Sequence, residues 1–129
     1  MLRHLSPETI YLLNLSLLIT HEIDSAFWKE WELFGLPGGI QLFLILNFVL
    51  VIVFIYGLPY VVRQQPQGNI FSWLLIAAGF IAVVLHGFFL VSGYQQFNEP
   101  VSLAVLAAIW MVSTIQLIMM IGDVRAKAS

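Results

Sequence analysis

The chain has 129 residues, of which 60% are hydrophobic and 9% are charged, whereas a soluble domain carries about 25% charged residues. So few charges cannot cover a water-facing surface, which excludes a soluble globular domain and a disordered chain. The net charge of −2 offers no basic surface for a phosphate backbone, so we expect a lipid bilayer and no nucleic acid among the partners.

The first predicted helix has a recognisable N-cap, but its apolar run is too short to cross a bilayer. Ser6 is typical of a helix N-cap and Pro7 of the first helical position. The apolar run covers only residues 10–19, whereas a spanning helix needs about 20. The first span, about 7–33, must therefore carry polar side chains into or near the hydrocarbon. A cleaved signal peptide is the alternative, although the sequence before Ala26 lacks the small residue that cleavage requires.

Three longer apolar segments follow. They predict spans at about 38–62, 70–93 and 100–121, separated by short polar stretches that contain glycine or proline. Short connections make sequence neighbours antiparallel neighbours in space. The predicted fold class is therefore all-α, an integral membrane four-helix antiparallel bundle that forms a single transmembrane domain over residues 1–129.

The basic residues predict the orientation of the spans. With four spans, the N-terminus, the middle loop and the C-terminus share one side of the membrane. That side would carry Arg3, Arg63, Arg125 and Lys127, and the other side only Lys29. Because cytoplasmic loops are enriched in Lys and Arg, we expect a multi-pass cell-membrane protein with both termini in the cytoplasm.

Polar residues form one stripe on the first helix. At 100° per residue, the stripe carries Asn14, His21, Asp24, Ser25 and Trp28. Ionisable groups that face lipid are costly, so this stripe should face the interior of the bundle or a water-filled cavity.

The third span carries a single ionisable residue, His86. Small residues share its face at Ser72, Gly79, Ala82 and Gly93. Small residues let another helix approach closely, so His86 should point into a tight helix–helix interface. A rise of about 1.5 Å per residue places His21 and His86 in the outer half of the bilayer, on the same side as Gln41.

These residues predict a polar site in the outer half of the membrane. We expect His21, Asp24 and His86 to hold a divalent metal such as zinc, iron or manganese, with Glu22 as a further candidate ligand. The same three residues are the candidate catalytic groups, with histidine as ligand or base and Asp24 as ligand or orienter. Such a site fits a small metal-dependent or acid–base enzyme acting on a lipophilic small molecule. The supporting polar residues are Asn14, Ser25, Trp28 and Gln41.

Two other interpretations stay open. A b-type haem could lie between His21 and His86 in an electron carrier, because facing histidines can ligate haem iron axially. Alternatively, the cluster only holds the helices together in a structural or partner-binding subunit. Glu30 and Glu32 are interpreted as an ordinary interfacial segment. Self-association into a homo-oligomer is compatible with a bundle this small.

The segment 21–31 reads His-Glu-Ile-Asp-Ser-Ala-Phe-Trp-Lys-Glu-Trp and is followed by Leu-Pro-Gly-Gly at 36–39. This pattern resembles that of an uncharacterised family of short bacterial membrane proteins, which implies four spans over essentially the whole chain and no known activity. His21 followed by Asp24 also resembles the His-x-x-Glu-Glu membrane domain, a membrane-enzyme group. Asp24 and Ser25 stand where that group has its two acids, so the resemblance implies only the His21/Asp24 pair.

Overall fold

The computed structural model describes residues 5–128, which form five helices and contain no strand. The helices are α1 (Pro7–Phe27), α2 (Glu30–Leu33), α3 (Gly39–Val62), α4 (Pro66–Val91) and α5 (Pro100–Ala128). The all-α prediction is confirmed. Arg3, one of the residues used to predict the orientation, lies outside the described residues, as do the side chains of Arg125 and Lys127.

Helix starts follow the local chemistry of the sequence. The Ser6 hydroxyl accepts a hydrogen bond from the Thr9 backbone N–H at 3.1 Å, and Pro7 follows it. Proline lacks a backbone N–H and suits the first turn, which explains why α4 begins at Pro66 rather than at the predicted residue 70. Helix α5 continues beyond the predicted end at residue 121, through a polar C-terminal segment.

The predicted first span is broken in two. Helix α1 ends at Phe27, and Lys29 adopts the left-handed conformation with φ of 52° before the single turn of α2 begins. A left-handed residue ends a right-handed helix and changes the direction of the chain. The expectation of one continuous helix over 7–33 is therefore wrong, and residues 30–33 leave the axis of α1.

Three of the described helices are long and apolar enough to cross a membrane. They are Gly39–Val62, Pro66–Val91 and Pro100–Val124, and they indicate a membrane protein. Helix α1 is not among them, because its apolar run is interrupted by polar residues. Large apolar side chains such as Leu44, Phe48 and Ile55 are exposed on α3, which fits contact with the acyl chains of a bilayer.

Helix α1 lies against the other three long helices. It contacts α3, α4 and α5, while α4 lies between α3 and α5. A buried apolar cluster joins Tyr11, Leu15 and Leu18 of α1 to Phe54 of α3 and Leu75 of α4. The Tyr11 hydroxyl also donates to the Phe54 carbonyl at 2.8 Å. The least apolar of the long helices thus packs against the three others, which cover most of its polar stripe.

Small residues allow α4 to approach its neighbours closely. A Cβ on Gly68 would lie 2.7 Å from the Tyr60 carbonyl oxygen of α3, and a Cβ on Gly79 would clash with the Ser113 hydroxyl of α5. Ser72 and Ala82 are buried on the same side. Gly93 is not part of this face, because it lies beyond the end of α4 and is exposed.

Candidate functional site

The two histidines lie in direct contact. His21 belongs to the buried stripe of α1 and His86 to the buried stripe of α4, and each is only 1% exposed. Their ring centroids are 4.3 Å apart and the rings are perpendicular. The packing of α1 against α4 thus brings together two imidazoles that are 65 residues apart in sequence.

Glu30 lies beside the two histidines and is the third member of the cluster. It is the first residue of α2, where the left-handed turn at Lys29 directs the chain back toward the bundle. Its Oε1 lies 3.5 Å from His86 Nε2, and its side chain is 10% exposed. One ligand atom from each of His21, Glu30 and His86 lies within 4.8 Å of the others. We call these three residues the His–Glu–His centre.

A hydrogen bond determines which ring nitrogen of His86 carries the proton and which one faces the centre with a lone pair. Its Nδ1 lies 2.6 Å from the Ala82 carbonyl oxygen, and a carbonyl can only accept, so Nδ1 carries the proton. In a neutral imidazole Nε2 then presents a lone pair, and it faces an oxygen of Glu30 that also only accepts. Two acceptors facing each other away from water require a proton or a metal cation between them.

In His21, too, one ring nitrogen is held by a neighbouring group and the other is left without a partner. Its Nε2 lies 3.4 Å from the Ser25 hydroxyl, and Ser25 is fully buried. Its Nδ1 is buried and has no hydrogen-bond partner among residues 5–128. Metal-binding histidines usually have one ring nitrogen held by an outer group and the other free for the ion. Both histidines of the centre fit that pattern.

Phe97 covers the histidines. It lies in the loop between α4 and α5, is fully buried, and places its ring 4.3 Å from that of His86 and 6.0 Å from that of His21. Its φ of 67° is unusual for a bulky residue and has an energetic cost. Because the ring packs on both imidazoles, it keeps water away from them.

A cavity of about 280 Å³ opens beside the centre. Its polar lining comes from the three residues of the His–Glu–His centre and Glu22, and the rest of its wall is apolar. An apolar pocket with a few converging polar groups is typical of a small-molecule site.

The other predicted site residues lie around the centre rather than in it. Asp24 is half-buried and is not part of the group that could hold a metal ion; its Oδ2 has no hydrogen-bond partner in the described part of the chain. Glu22 is half-buried and also lines the cavity. Trp28 packs on Phe27 with ring centroids 5.0 Å apart, and Gln41 is exposed.

Asn14 belongs to a different polar cluster. Its amide nitrogen donates to the Ser113 hydroxyl at 3.1 Å and to Gln116 Oε1 at 2.8 Å, both on α5. Asn14 precedes His21 by seven residues, or about 10 Å along the helix. It therefore joins α1 to α5 and does not contribute to the centre.

The histidine contact bears on the haem interpretation. Axial ligands approach haem iron from opposite faces of the porphyrin. Imidazoles in edge-to-face contact, with centroids 4.3 Å apart, leave no space for a macrocycle between them. The geometry therefore favours a single ion or proton shared with Glu30 over a bis-histidine haem.

Comparison with known proteins shows the family of the chain. No curated protein and no solved structure matches it. The model of a protein family described as a family of unknown function, DUF6713, matches residues 7–123. That match includes every residue of the His–Glu–His centre and all five helices at least in part, so the chain belongs to this family.

Proposed function

We propose that the protein is a membrane enzyme that depends on a divalent metal ion and acts on a substrate dissolved in the bilayer. The observation that carries the proposal is the pair of facing acceptors, His86 Nε2 and Glu30 Oε1, 3.5 Å apart and shielded from water. A cation between them removes the repulsion and also uses the free nitrogen of His21.

The donor set selects the class of metal. Two imidazoles and one carboxylate suit zinc, iron or manganese. Three protein ligands are also the number found in catalytic zinc sites, which keep one position open for water or substrate. A bound ion would supply Lewis acidity to a polar group of the substrate.

Two further carboxylates are candidates for moving protons. Glu22 lines the cavity beside the centre, so it can reach a molecule bound there. Asp24 lies one helical turn after His21 and has a buried oxygen without a described partner. We propose Glu22 as the group nearest the substrate and keep Asp24 as a candidate orienter of the site.

The metal centre is tested by elemental analysis. We expect the protein purified in detergent without chelators to hold about one transition-metal ion per chain. His21→Ala and His86→Ala should lose it, because each removes a ligand. His4→Ala, in the remaining histidine of the chain, is the matched control and should retain the metal.

Inductively coupled plasma mass spectrometry and the visible spectrum of the same samples decide the result. Metal-free protein, with both histidine variants folded and as stable as the parent, would contradict the proposal and favour a structural or partner-binding subunit. A Soret band that disappears in the histidine variants would instead support a haem electron carrier.

We also propose that α1 crosses the membrane, giving an antiparallel four-helix bundle in one domain with both termini in the cytoplasm. Its 21 residues span about 31 Å at 1.5 Å per residue, which matches the hydrocarbon core of about 30 Å. Its contacts with α3, α4 and α5 bury Asn14, His21 and Ser25 of its polar stripe. This arrangement supports the cell-membrane, multi-pass location.

Single cysteines test this topology, because the chain has no cysteine of its own. Glu8, Gln67 and Gln95 are exposed positions near the N-terminus, the α3–α4 connection and the α4–α5 loop. With four spans, cysteines at Glu8 and Gln67 should react with a membrane-impermeant maleimide only after the cells are opened, and one at Gln95 in intact cells. Labelling of Glu8→Cys in intact cells together with Gln95→Cys would show that α1 does not cross.

A further inference from the structure

A second cavity adjoins the one at the His–Glu–His centre. It has a volume of about 340 Å³ and lies against α3, where Phe43 and Leu46 line it. The two cavities share four lining residues, Glu22, Glu30, Phe34 and Leu50. Both carboxylates therefore lie where the cavities meet. The histidines are on one side, and on the other is a chamber that is apolar apart from Asn47.

Both cavities reach the lipid-facing surface. Leu46 is 48% exposed on α3, and Ile81 is 58% exposed on α4. Each residue lines one cavity while also lying on the outside of a helix apolar enough to span a membrane. A molecule dissolved among the acyl chains can therefore enter sideways, between α3 and α4, without passing through water.

The charges of the residues that line the two cavities determine which kind of lipid head group can bind there. Two carboxylates, Glu22 and Glu30, line both cavities, and the described lining residues include no lysine or arginine. With a divalent ion at the centre, the charges of Glu22 and Glu30 balance that of the ion. Phosphate, sulfate and carboxylate head groups would then meet no net positive charge and no basic side chain, which is costly away from water. A neutral hydroxyl or ester oxygen would meet hydrogen-bonding groups of the centre at no such cost.

We infer that the cavities bind a neutral single-chain lipid, such as a monoacylglycerol or a long-chain alcohol. Its oxygen-bearing head lies at Glu22 and the His–Glu–His centre, and its chain lies in the chamber lined by Phe43 and Leu46. This inference rests on the proposed function, since it names the substrate class of the same site. Volumes of about 280 and 340 Å³ lie on either side of the lower limit of known ligand pockets, which range over about 300–1,000 Å³.

Photo-crosslinking tests the inference in protein reconstituted into phosphatidylcholine vesicles. The neutral probe is a monoacylglycerol with a diazirine in its chain, and the anionic probe is the alkyl sulfate of the same chain. We expect the neutral probe to label peptides that contain Leu46, Leu50 or Ala78, and the sulfate to label them about tenfold less.

Two tryptophan variants block the cavities, and each has a matched control. Ala78→Trp fills the cavity at the centre and Leu46→Trp the one against α3, while Ala77 and Leu44 are exposed neighbours of the same residue types outside both linings. Labelling should fall about tenfold in the blocked variants, because an indole leaves no room for the chain. It should persist in Ala77→Trp and Leu44→Trp.

Metal content measured on the same samples separates this inference from the proposed function. Equal labelling by both probes, or labelling unchanged in both blocked variants, would overturn the neutral-lipid site even where the metal is present. Selective, blockable labelling of a metal-free protein would keep the lipid site and contradict the metal enzyme.

Discussion

Glu30→Gln is expected to lower metal affinity by more than about 100-fold, since loss of an outer-shell group alone lowers it by about 10–100-fold. The amide keeps the size of the side chain but removes the negative charge that faces His86 Nε2 at 3.5 Å. It also gives the imidazole a hydrogen-bond donor, which satisfies the lone pair without any ion.

Two matched variants separate this effect from a general change of charge. Glu32→Gln alters an exposed carboxylate of the same helix that pairs with Lys29 at 3.8 Å, and it should bind metal like the parent. Asp24→Asn should also retain the metal, because Asp24 is not in the group whose ligand atoms converge. Competition with a chromophoric chelator measures all three affinities. Loss in Asp24→Asn with retention in Glu30→Gln would place the ligand at Asp24, as the sequence alone suggests.

Gly68→Ala is expected to destabilise the protein by about 1–3 kcal/mol, the usual effect of overpacking a tight contact. The added Cβ would lie 2.7 Å from the Tyr60 carbonyl oxygen and 2.8 Å from the Val61 backbone nitrogen. Backbone atoms cannot rotate away as a side chain can, so α4 must move away from α3.

Gly87→Ala is the matched control in the same helix. No atom lies within 4 Å of a Cβ built there, so removing a flexible glycine should be neutral or stabilise α4 by up to about 1 kcal/mol. The two variants are compared by unfolding them in mixed micelles with an increasing fraction of dodecyl sulfate. Circular dichroism reports the loss of helix at each step. Equal stability of Gly68→Ala and Gly87→Ala would contradict the close α3–α4 approach.

Periodicity alone predicts much of this architecture. Runs of apolar residues identify α3, α4 and α5 because length and hydropathy determine what can cross a bilayer. Projection of α1 at 100° per residue places Asn14, His21 and Ser25 on one face, and all three are buried. The small residues near His86 indicate a close interface, and its ring indeed contacts that of His21.

Glu30 could not be predicted in the same way. On a continuous helix it would lie about 180° from His21, on the opposite face. Only the left-handed conformation of Lys29, at φ of 52°, returns its side chain to the bundle. Asp24 lies closer to His21 in projection, which explains why the sequence favours it. Phe97 gives no periodic signal, because it lies in a loop.

The position of α1 against all the other long helices has a consequence for how the chain is made. The ribosome releases α1 before α3, α4 and α5, yet Asn14 of α1 finds its hydrogen-bond partners on α5, and His21 contacts a ring on α4. If α1 crosses the membrane as we propose, its polar stripe has nothing to cover it in the hydrocarbon until those later segments arrive. On this proposal α1 becomes stable across the membrane only after the helices that follow it, and insertion of α1 depends on α4 and α5.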